Sequence, residues 1–338
     1  WRNLSDGWFE TPSIGGIRVA ESDPNVVWVA TGSDGLRSNV ITGKGVYRST
    51  DAGESWRFLG LRDIGNTGAI EVDPRDPDVA YVAAIGPVFG PSPERGLYRT
   101  RDGGETWQKV LSISDSTGIV DVELDPRNPD VVYASSWRAE RKPWTIISGA
   151  NEGGVYRSVD GGDTWTELGQ AGPEAGGLPT TDDHLFGKID LAVHRSDPAI
   201  VFALIEAPEP HDGLWRSDDG GESWRHVSSF DRLTARAFYY TNVDVDPVDP
   251  SVIWVNAHVP LFRSTDGGQN WETVSTPHGD NHDIWIDPAN TDLIVQGNDG
   301  GANVSRDGGA TWTGQTNQPT AEMYGIDLDD RYPYWAYA

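Results

Sequence analysis

The densest set of acid–base and metal-binding side chains in the sequence is the run His278-Gly279-Asp280-Asn281-His282-Asp283. Imidazole and carboxylate groups can ligate a divalent cation or transfer protons near neutral pH. Histidines four positions apart on a loop that enters a strand need not converge, so a hydrogen-bonded turn is the favoured interpretation. His278, Asp280 and His282 are the candidate metal ligands should the rings converge. We predict no cofactor, with a structural divalent cation such as calcium as the alternative.

A second set of carboxylates recurs at similar positions of successive predicted strands. These are Glu71, Asp121, Glu123, Asp190, Asp244, Asp283 and Asp327. Like charges that line a channel raise one another's pKa and could hold a cation or supply a general acid. A glycosidase needs two such groups, about 5 Å or about 6.5 to 9.5 Å apart, and Asp121 and Asp283 are the catalytic candidates. Ordinary carboxylates in a water-filled channel are the favoured interpretation, since repeated positions tend to have repeated structural reasons.

A basic and aromatic island interrupts an otherwise acidic chain. The run Trp137-Arg138-Ala139-Glu140-Arg141-Lys142-Pro143-Trp144 carries side chains that are common at protein and sugar contacts. The competing interpretation is a loop that packs its own tryptophans. We predict a binding face that consists of Trp137, Arg138, Arg141, Lys142 and Trp144, with Phe89 and Arg95 from a neighbouring loop.

An internal repeat indicates the strands and turns that must position these groups. The pattern Ser/Thr-x-Asp-x-Gly-x-x-Trp occurs six times, with its aspartates at Asp51, Asp102, Asp160, Asp219, Asp266 and Asp307. The hydroxyl and carboxylate can accept backbone N–H groups of a tight turn, and the glycine permits positive φ. We therefore predict that the six aspartates are structural and that each box joins two antiparallel strands.

Each box belongs to a larger unit that carries two further strands joined by an Asp-Pro turn. Six such turns begin at Asp23, Asp73, Asp125, Asp197, Asp246 and Asp287, and a degenerate seventh lies at Asp329-Asp330. The pattern predicts an all-β fold, a seven-bladed β-propeller of four-stranded antiparallel blades, as one domain over residues 1–338. Residues 1–4 are predicted to close the ring as the outer strand of an incomplete last blade, whose inner strands are 324–329 and 334–338.

The long connections all fall at the end of the blades opposite the boxes and the Asp-Pro turns. They span residues 31–44, 85–95, 135–152, 170–188, 206–212 and 228–238. Long loops in a compact domain are usually functional, so this face is the predicted site.

The repeat resembles the Asp-box, or bacterial neuraminidase repeat, propellers, which include sialidases, oligoxyloglucan-type glycoside hydrolases and the luminal domains of sortilin-type receptors. The runs 45–51, 125–133 and 280–288 are similar to the N-terminal propeller of large exported bacterial proteins labelled sortilin-like or glycosyl-hydrolase-like. The box recurs in enzymes and non-enzymes, so the resemblance implies the architecture and leaves the activity open.

Composition excludes several function classes. The net charge is −26, which disfavours nucleic acid and anionic membrane surfaces as partners. The chain has no cysteine, which excludes disulfides and thiolate metal sites. No stretch approaches the about 18 consecutive apolar residues of a membrane span, although association with a membrane complex stays open.

Two functions fit these observations. The favoured prediction is a non-catalytic protein-interaction or scaffold module outside the cytoplasm of a bacterium, periplasmic or secreted. An accessory subunit that docks on a larger envelope or membrane complex through its long-loop face is one form of it. The alternative is a glycoside hydrolase, sialidase-like or oligoxyloglucanase-like, or a carbohydrate-binding propeller. Arg37, Arg95, Arg138, Tyr239 and Tyr240 are of the types that a sialidase-like site requires, but no motif places them together. The oligoxyloglucan hydrolases resembled here work in a cleft between two propellers, which counts against catalysis by this chain alone.

Overall fold

The computed structural model describes residues 1–37, 39–179, 185–318 and 325–337. Within these residues, five four-stranded antiparallel sheets and one three-stranded sheet form the six blades of an all-β propeller. A short 3-10 helix covers Pro173–Ala175. No helix in the described part of the chain has the length and apolar character to cross a membrane.

The strands of the first three blades run in chain order. The first blade contains β1 (Ile14–Val19), β2 (Val27–Thr31), β3 (Val46–Ser49) and β4 (Arg57–Phe58). The second contains β5 (Asn66–Val72), β6 (Ala80–Gly86), β7 (Gly96–Thr100) and β8 (Gln108–Leu111). The third contains β9 (Gly118–Leu124), β10 (Val132–Trp137), β13 (Val155–Ser158) and β14 (Thr166–Glu167), with the hairpin β11 (Ala139–Lys142) and β12 (Thr145–Ser148) inserted.

The remaining strands follow the same order. The fourth blade contains β15 (Ile189–Val193), β16 (Val201–Ile205), β17 (Gly213–Ser217) and β18 (Arg225–Ser228). The fifth contains β19 (Asn242–Val245), β20 (Ile253–Asn256), β21 (Leu261–Ser264) and β22 (Glu272–Val274). The sixth contains β23 (Asn281–Ile286), β24 (Ile294–Asn298) and β25 (Gly301–Ser305), and a separate hairpin pairs β26 (Asp327–Leu328) with β27 (Ala336–Tyr337).

The prediction of seven blades closed by an N-terminal strand is wrong. Among the described residues, β26 and β27 pair only with each other, and Ile326 beside them is 71% exposed. Residues 1–4 form no strand. The N-terminal segment instead covers the outer part of the first blade, where Phe9 lies 4.8 Å from the Tyr47 ring and the Leu4 carbonyl accepts the Trp56 indole N–H. Tyr324 and Ala338, which the prediction placed in the last blade, lie outside the described residues.

The box turns confirm the prediction that the hydroxyl and the carboxylate of each box bond to backbone N–H groups. In the third blade, the Ser158 hydroxyl accepts the Gly162 N–H at 2.8 Å and donates to Asp160 Oδ1 at 2.7 Å. Asp160 also accepts the N–H and the hydroxyl of Thr164. The same set of bonds recurs in all six boxes, with Asn270 in place of the hydroxyl residue in the fifth. Gly162 has φ +87°, a conformation that side chains rarely adopt.

Apolar layers between neighbouring blades form the core. Between the first two blades, Trp28, Ala30 and Val46 pack against Ile70 and Val82. Between the third and fourth, Tyr133 and Val155 pack against Leu191, Ala203 and Trp215. Burial of these large side chains fixes each blade against the next and so fixes where the connecting loops begin.

Candidate functional site

Loops of several blades meet over the axis of the propeller at the end opposite the boxes. Leu36, Ile85, Val88, Val120, Trp137 and Ala139 form one buried apolar cluster, joined by Val40, Ile146 and Phe238. Backbone bonds fix the arrangement, since the Leu36 N–H donates to the Phe238 carbonyl at 2.7 Å and the Arg141 N–H to the Val88 carbonyl at 2.6 Å. The loops therefore form one assembled surface. Ser38 and residues 180–184 of the predicted loops lie outside the described residues.

Beside this apolar cluster lies a set of rings, carboxylates and arginines that we call the tyrosine–histidine cluster. It consists of Tyr239, Tyr240, His258, His282, Asp280, Asp299, Arg37 and Arg236. Tyr240 stacks on His282 with ring centres 5.1 Å apart, and the Tyr239 ring lies edge-on 4.9 Å from that histidine. His258 lies 5.3 Å from Tyr240. The loop before β19, the connection after β20 and the start of β23 bring the four rings together.

The carboxylates of the cluster are hydrogen-bonded to its rings. The Tyr240 hydroxyl donates to Asp280 Oδ1, and His258 Nε2 lies 3.6 Å from that same oxygen. His282 Nε2 lies 2.9 Å from Asp299 Oδ1. The side chains of Asp280, His282 and Asp299 are each about a quarter exposed, and that of His258 is 44% exposed. The histidines and carboxylates of the cluster thus reach solvent, whereas Tyr239 and Tyr240 beneath them are 7% and 2% exposed.

The two tyrosines are strong hydrogen-bond donors with little tendency to ionise. Burial raises the pKa of Tyr240, and the hydrogen bond to Asp280 raises it further. Burial and the neighbouring Asp299 carboxylate likewise raise the pKa of Tyr239. Both hydroxyls therefore stay protonated at neutral pH, as the donation from Tyr240 to Asp280 requires.

The backbone is strained where it carries this cluster. Arg236, Thr241 and Asp280 have φ of 61°, 81° and 57°, in the left-handed region that residues other than glycine seldom adopt. Among the described residues outside glycine, only Ala52 and Leu61 share that region. Strain of this kind persists where the surrounding structure enforces it, and it concentrates at functional sites.

The predicted metal ligands do not form a metal site. Asp280 and His282 belong to the tyrosine–histidine cluster, but they contact different partners, whereas His278 Nδ1 lies 2.9 Å from the Gly279 carbonyl oxygen. The described residues contain no group of three or more histidine, aspartate or glutamate side chains placed to hold a metal ion. The favoured interpretation of a hydrogen-bonded turn agrees with this geometry.

The inner-strand carboxylates mainly connect blades. Asp121 accepts the N–H of Val122 and that of Leu191 in the next blade, both at 2.8 Å. Asp190 accepts the N–H of Val243 in the blade after that, at 2.7 Å. These bonds join neighbouring blades near the axis, so Asp121 has a structural role whether or not it has another.

Carboxylates near the axis have raised pKa values. Burial raises the pKa of Asp121 to about 6, despite the two backbone N–H groups that it accepts. Asp283, the other catalytic candidate, lies on the exposed face of β23. Burial and the neighbouring Asp121 raise the pKa of Glu71 to about 7, although Arg18 bonds to it at 2.7 Å. With a pKa of about 6, Asp121 is mainly ionised at pH 7. The apolar cluster of the long-loop face also packs, through Val120, on the strand that carries Asp121.

The predicted binding face separates into buried and exposed parts. Trp137 is 1% exposed and its indole N–H donates to Ser148, so this tryptophan is a core residue. Arg95 is equally buried, and its guanidinium donates to the carbonyls of Ile85 and Pro87. Trp137 and Arg95 are therefore core residues and not part of a contact surface, contrary to the prediction.

Trp144 and Phe89 remain on the surface, at 81% and 60% exposure. Trp144 lies at the turn of the β11–β12 hairpin, where no strand partner covers it. Arg138 and Lys142 both pair with Glu140, and Arg141 is half-buried. The exposed part of the island is thus an aromatic tip with a partly neutralised basic flank.

Sequence reasoning missed two members of the tyrosine–histidine cluster, His258 and Arg236. Both occupy strand connections at the long-loop end, and His258 follows β20 as Asp299 follows β24. The repeat could have indicated both residues. Equivalent connections of a propeller lie at the same end of the ring, so the polar residues in them are candidates for one site.

The matching family models agree with the repeat. The model described as sortilin, neurotensin receptor 3 matches residues 44–175, and the BNR/Asp-box repeat model matches residues 262–273. The chain is an Asp-box β-propeller. Within that class it is similar to sortilin-like and glycosyl-hydrolase-like propellers.

Among curated proteins, a xyloglucanase of Paenibacillus sp is 27% identical over 319 residues, which cover 73% of this chain and 30% of that protein. Xyloglucanase Xgh74A of Acetivibrio thermocellus is 28% identical over 284 residues, which cover 64% of this chain and 32% of that protein. The chain thus spans less than a third of the length of these two relatives.

Solved structures show the same fold. An ancestral GH74 enzyme superposes with a TM-score of 0.64 at 17% identity, over 93% of this chain and 39% of that chain. YCF48 from Cyanidioschyzon merolae superposes with a TM-score of 0.55 at 18% identity, over 95% of this chain and 88% of that chain. At these identities the likeness concerns the fold alone.

Proposed function

We propose that this chain is the glycan-contacting propeller of a secreted glycoside hydrolase of the xyloglucanase type, folded as one domain over residues 1–338. The observation that carries the proposal is the tyrosine–histidine cluster, in which four rings, two carboxylates and two arginines converge at one solvent-facing mouth. Sugars are bound by charged hydrogen-bonding groups, and the partly exposed carboxylates, histidines and arginines of this cluster are such groups. The sequence similarity to xyloglucanases supports the same conclusion.

The interaction module favoured by the sequence has less support. A rigid ring with a decorated face suits protein binding, but the relatives over most of this chain are xyloglucanases. A protein contact stays a second candidate only for the exposed aromatic tip, Trp144 with Phe89, because large exposed aromatics are frequent interface anchors. A location outside the cytoplasm is part of the proposal, since it suits a glycan substrate.

The test measures binding of xyloglucan by calorimetry and release of reducing ends, with the chain alone and with Asp280→Asn. Asparagine tolerates the left-handed backbone at this position, so the variant should keep its melting temperature. We expect it to weaken xyloglucan binding about tenfold, because a carboxylate hydrogen bond is lost. Asp231→Asn, an exposed aspartate of a neighbouring loop, is the matched control and should bind as the parent does.

The outcomes separate the parts of the proposal. Release of reducing ends that is lost in Asp280→Asn supports a hydrolase. Binding without release keeps the glycan site and removes hydrolysis by this chain alone. No detectable binding to xyloglucan or other glycans removes the proposal and returns the protein-contact candidate to first place.

A further inference from the structure

Arginine side chains link neighbouring blades at the box end, the end of the propeller that carries the boxes. Each of these arginines directly precedes the hydroxyl residue of its own box and donates to a carbonyl in the box turn of the next blade. Arg157, for example, donates to the Gly220 carbonyl at 2.6 Å and pairs with Glu222 at 2.5 Å. We call such a bond an arginine clamp. Among the described residues, the clamp arginines are Arg48, Arg99, Arg157 and Arg263.

The sixth blade makes no clamp to the first. Val304 occupies the position in the sixth blade that Arg157 occupies in the third. The first box is contacted by the N-terminal segment instead, where Arg2 pairs with Glu54. The side chains of Arg2 and Glu54 are 68% and 53% exposed, and a surface ion pair of this kind adds little stability. The sixth and first blades are therefore not joined by this bond.

The side of β1 that faces this junction carries uncovered apolar side chains. Ile17 and Val19 are 59% and 49% exposed. They alternate with Arg18, which bonds to Glu71 of the second blade. Because successive side chains of a strand point to opposite faces, Ile17 and Val19 point away from the second blade and toward the junction.

The facing strand of the sixth blade shows the same arrangement. Trp285 of β23 is 49% exposed. It alternates with Ile284 and Ile286, which pack toward the fifth blade against Trp254. In β9 of the third blade, by contrast, every residue except the half-buried Glu123 is buried. Trp285 therefore points into the junction from the other side and lacks the cover that inner strands have elsewhere.

The other junctions are held by a clamp, by buried apolar side chains or by both. The fourth and fifth blades lack the clamp because Arg216 bonds to Asp218 of its own blade. Phe202, Leu214 and Val255 are nevertheless buried between these two blades. Within the described part of the chain, no cluster of buried apolar side chains joins the strands of the sixth blade to those of the first.

The tyrosine–histidine cluster spans the same junction at the mouth. Arg37 lies in the loop after β2 of the first blade, whereas His282 and Asp299 belong to the sixth blade. Arg37 reaches Asp299 only at 4.0 Å, so the two sides are in loose contact. A ligand that bonds to groups on both sides binds the closer arrangement more tightly, and so shifts the protein toward it.

We propose that the propeller closes at the junction of the sixth and first blades, so that Ile17 and Val19 pack against Trp285. Removal of these side chains from water favours the closed form. No clamp or buried cluster has to break for β1 and β23 to approach. That a glycan at the mouth promotes the closure is the part of the proposal that rests on the proposed function.

The test makes use of a chain without cysteine. Ile17→Cys combined with Trp285→Cys places two thiols on the facing strands, and copper phenanthroline oxidises them at low protein concentration. A disulfide requires Cα atoms within about 7 Å, as in the closed form. We expect a disulfide in the ligand-free protein, and formation at least about threefold faster with a xyloglucan heptasaccharide. Ile17→Cys with Val159→Cys is the matched control, because Val159 is an exposed residue of the third blade.

Hydrogen exchange of the unaltered protein is the second measurement, in case the cysteine variants do not fold. Backbone amides in weakly covered elements exchange faster than those in buried ones. We therefore expect faster exchange in β1 and β23 than in β9 and β15. The heptasaccharide should slow exchange in β1 and β23 and leave β9 and β15 unchanged.

The outcomes separate the closure from the proposed function. A folded double variant that forms no disulfide, or forms it no faster than the control pair, overturns the closure. Exchange in β1 and β23 as slow as in β9 and β15 overturns it as well. If the disulfide forms but the heptasaccharide does not bind, the closure stands and the proposed function fails. If the heptasaccharide binds and changes neither rate, its effect on closure is overturned while the proposed function stands.

Discussion

The aspartates of the box turns and the carboxylates of the inner strands are the same chemical group in two surroundings. In the boxes, hydrogen bonds from Thr164, in side chain and backbone, lower the pKa of Asp160 to about 2. Near the axis, burial raises the pKa of Asp121 to about 6 although it too accepts two backbone N–H groups. The number of donors alone therefore does not set the pKa.

The difference arises from solvent and from neighbouring charge. The box aspartates lie on exposed turns, so ionisation costs little and the donors favour the charged form. The inner carboxylates are crowded together: in addition to burial, the neighbouring Asp121 raises the pKa of Glu71, of Glu123 and of Asp190. We call the box aspartates the outer ring and the inner-strand carboxylates the inner ring. The outer ring stabilises turns in its ionised form, whereas the inner ring joins blades although burial disfavours its ionisation.

Of the two sets of carboxylates, the inner one should show the larger effect. Asp121→Ala leaves the N–H groups of Val122 and Leu191 without their acceptor. We expect the free energy of unfolding to fall by about 2 to 4 kcal/mol, since each buried unsatisfied group costs about 1 to 3 kcal/mol. Chemical denaturation measures the change. Asp121→Asn, which keeps one acceptor oxygen, should lose less. A change below about 0.5 kcal/mol in the alanine variant would show that the carboxylate does not connect blades.

The second effect is a pH dependence of opposite sign in the two rings. A carboxyl whose pKa is raised on folding binds its proton more tightly in the folded state, so stability falls as pH rises from about 4 through about 7. The box aspartates have lowered pKa values and so contribute stability above about 4 that is lost as pH falls toward about 2. Maximum stability should therefore lie near pH 4 to 5.

Glu71→Gln sharpens this test, because it removes the group whose pKa is raised to about 7 and keeps an acceptor for Arg18. We expect the fall in stability between pH 4 and pH 7 to shrink by on the order of 1 to 3 kcal/mol. Melting curves across that range measure it. A parent profile that is flat over these pH values would mean that the inner ring is not desolvated.

The repeat made the box turns and the blades predictable from the sequence. Each box contains its hydrogen-bond donors and acceptors within seven residues of chain, as in Ser158 to Thr164, so spacing alone defines the turn. The blade count failed because ring closure is not local. Residues 1–4 resemble a strand, yet the bond from the Trp56 indole to the Leu4 carbonyl and the packing of Phe9 on Tyr47 hold the segment in an irregular form over the first blade.

The candidate site was predictable only in part for the same reason. The sequence identified the long-loop end and the individual Arg37, Tyr239 and Tyr240, but their convergence with His282 depends on loops from separate blades. Spacing also failed to distinguish Trp137 from Trp144 in one basic run. The end of β10 buries the first, whereas the hairpin that follows carries the second outward.

A smaller effect tests the outer ring without changing a charge. Ser158→Ala removes the acceptor for the buried Gly162 N–H and the donor to Asp160. We expect a loss of about 1 to 2 kcal/mol in unfolding free energy, because the main consequence is one unsatisfied N–H group. Ser158→Thr is the matched control, since Thr100 makes the same bonds in the second box. If threonine destabilises as much as alanine, the hydroxyl bonds do not hold the turn.

The smallest effect on stability is expected at the aromatic tip, which belongs to neither ring. Trp144→Ala should change the free energy of unfolding by less than about 0.5 kcal/mol, because the side chain is 81% exposed. Trp137→Ala, in the same run but 1% exposed, should lose about 3 to 5 kcal/mol, as for large buried aromatics. Thermal and chemical denaturation of the pair measure the contrast. An exposed tryptophan that the fold does not need is available for a partner, so a stability loss at Trp144 comparable to that at Trp137 would remove the tip as a contact surface.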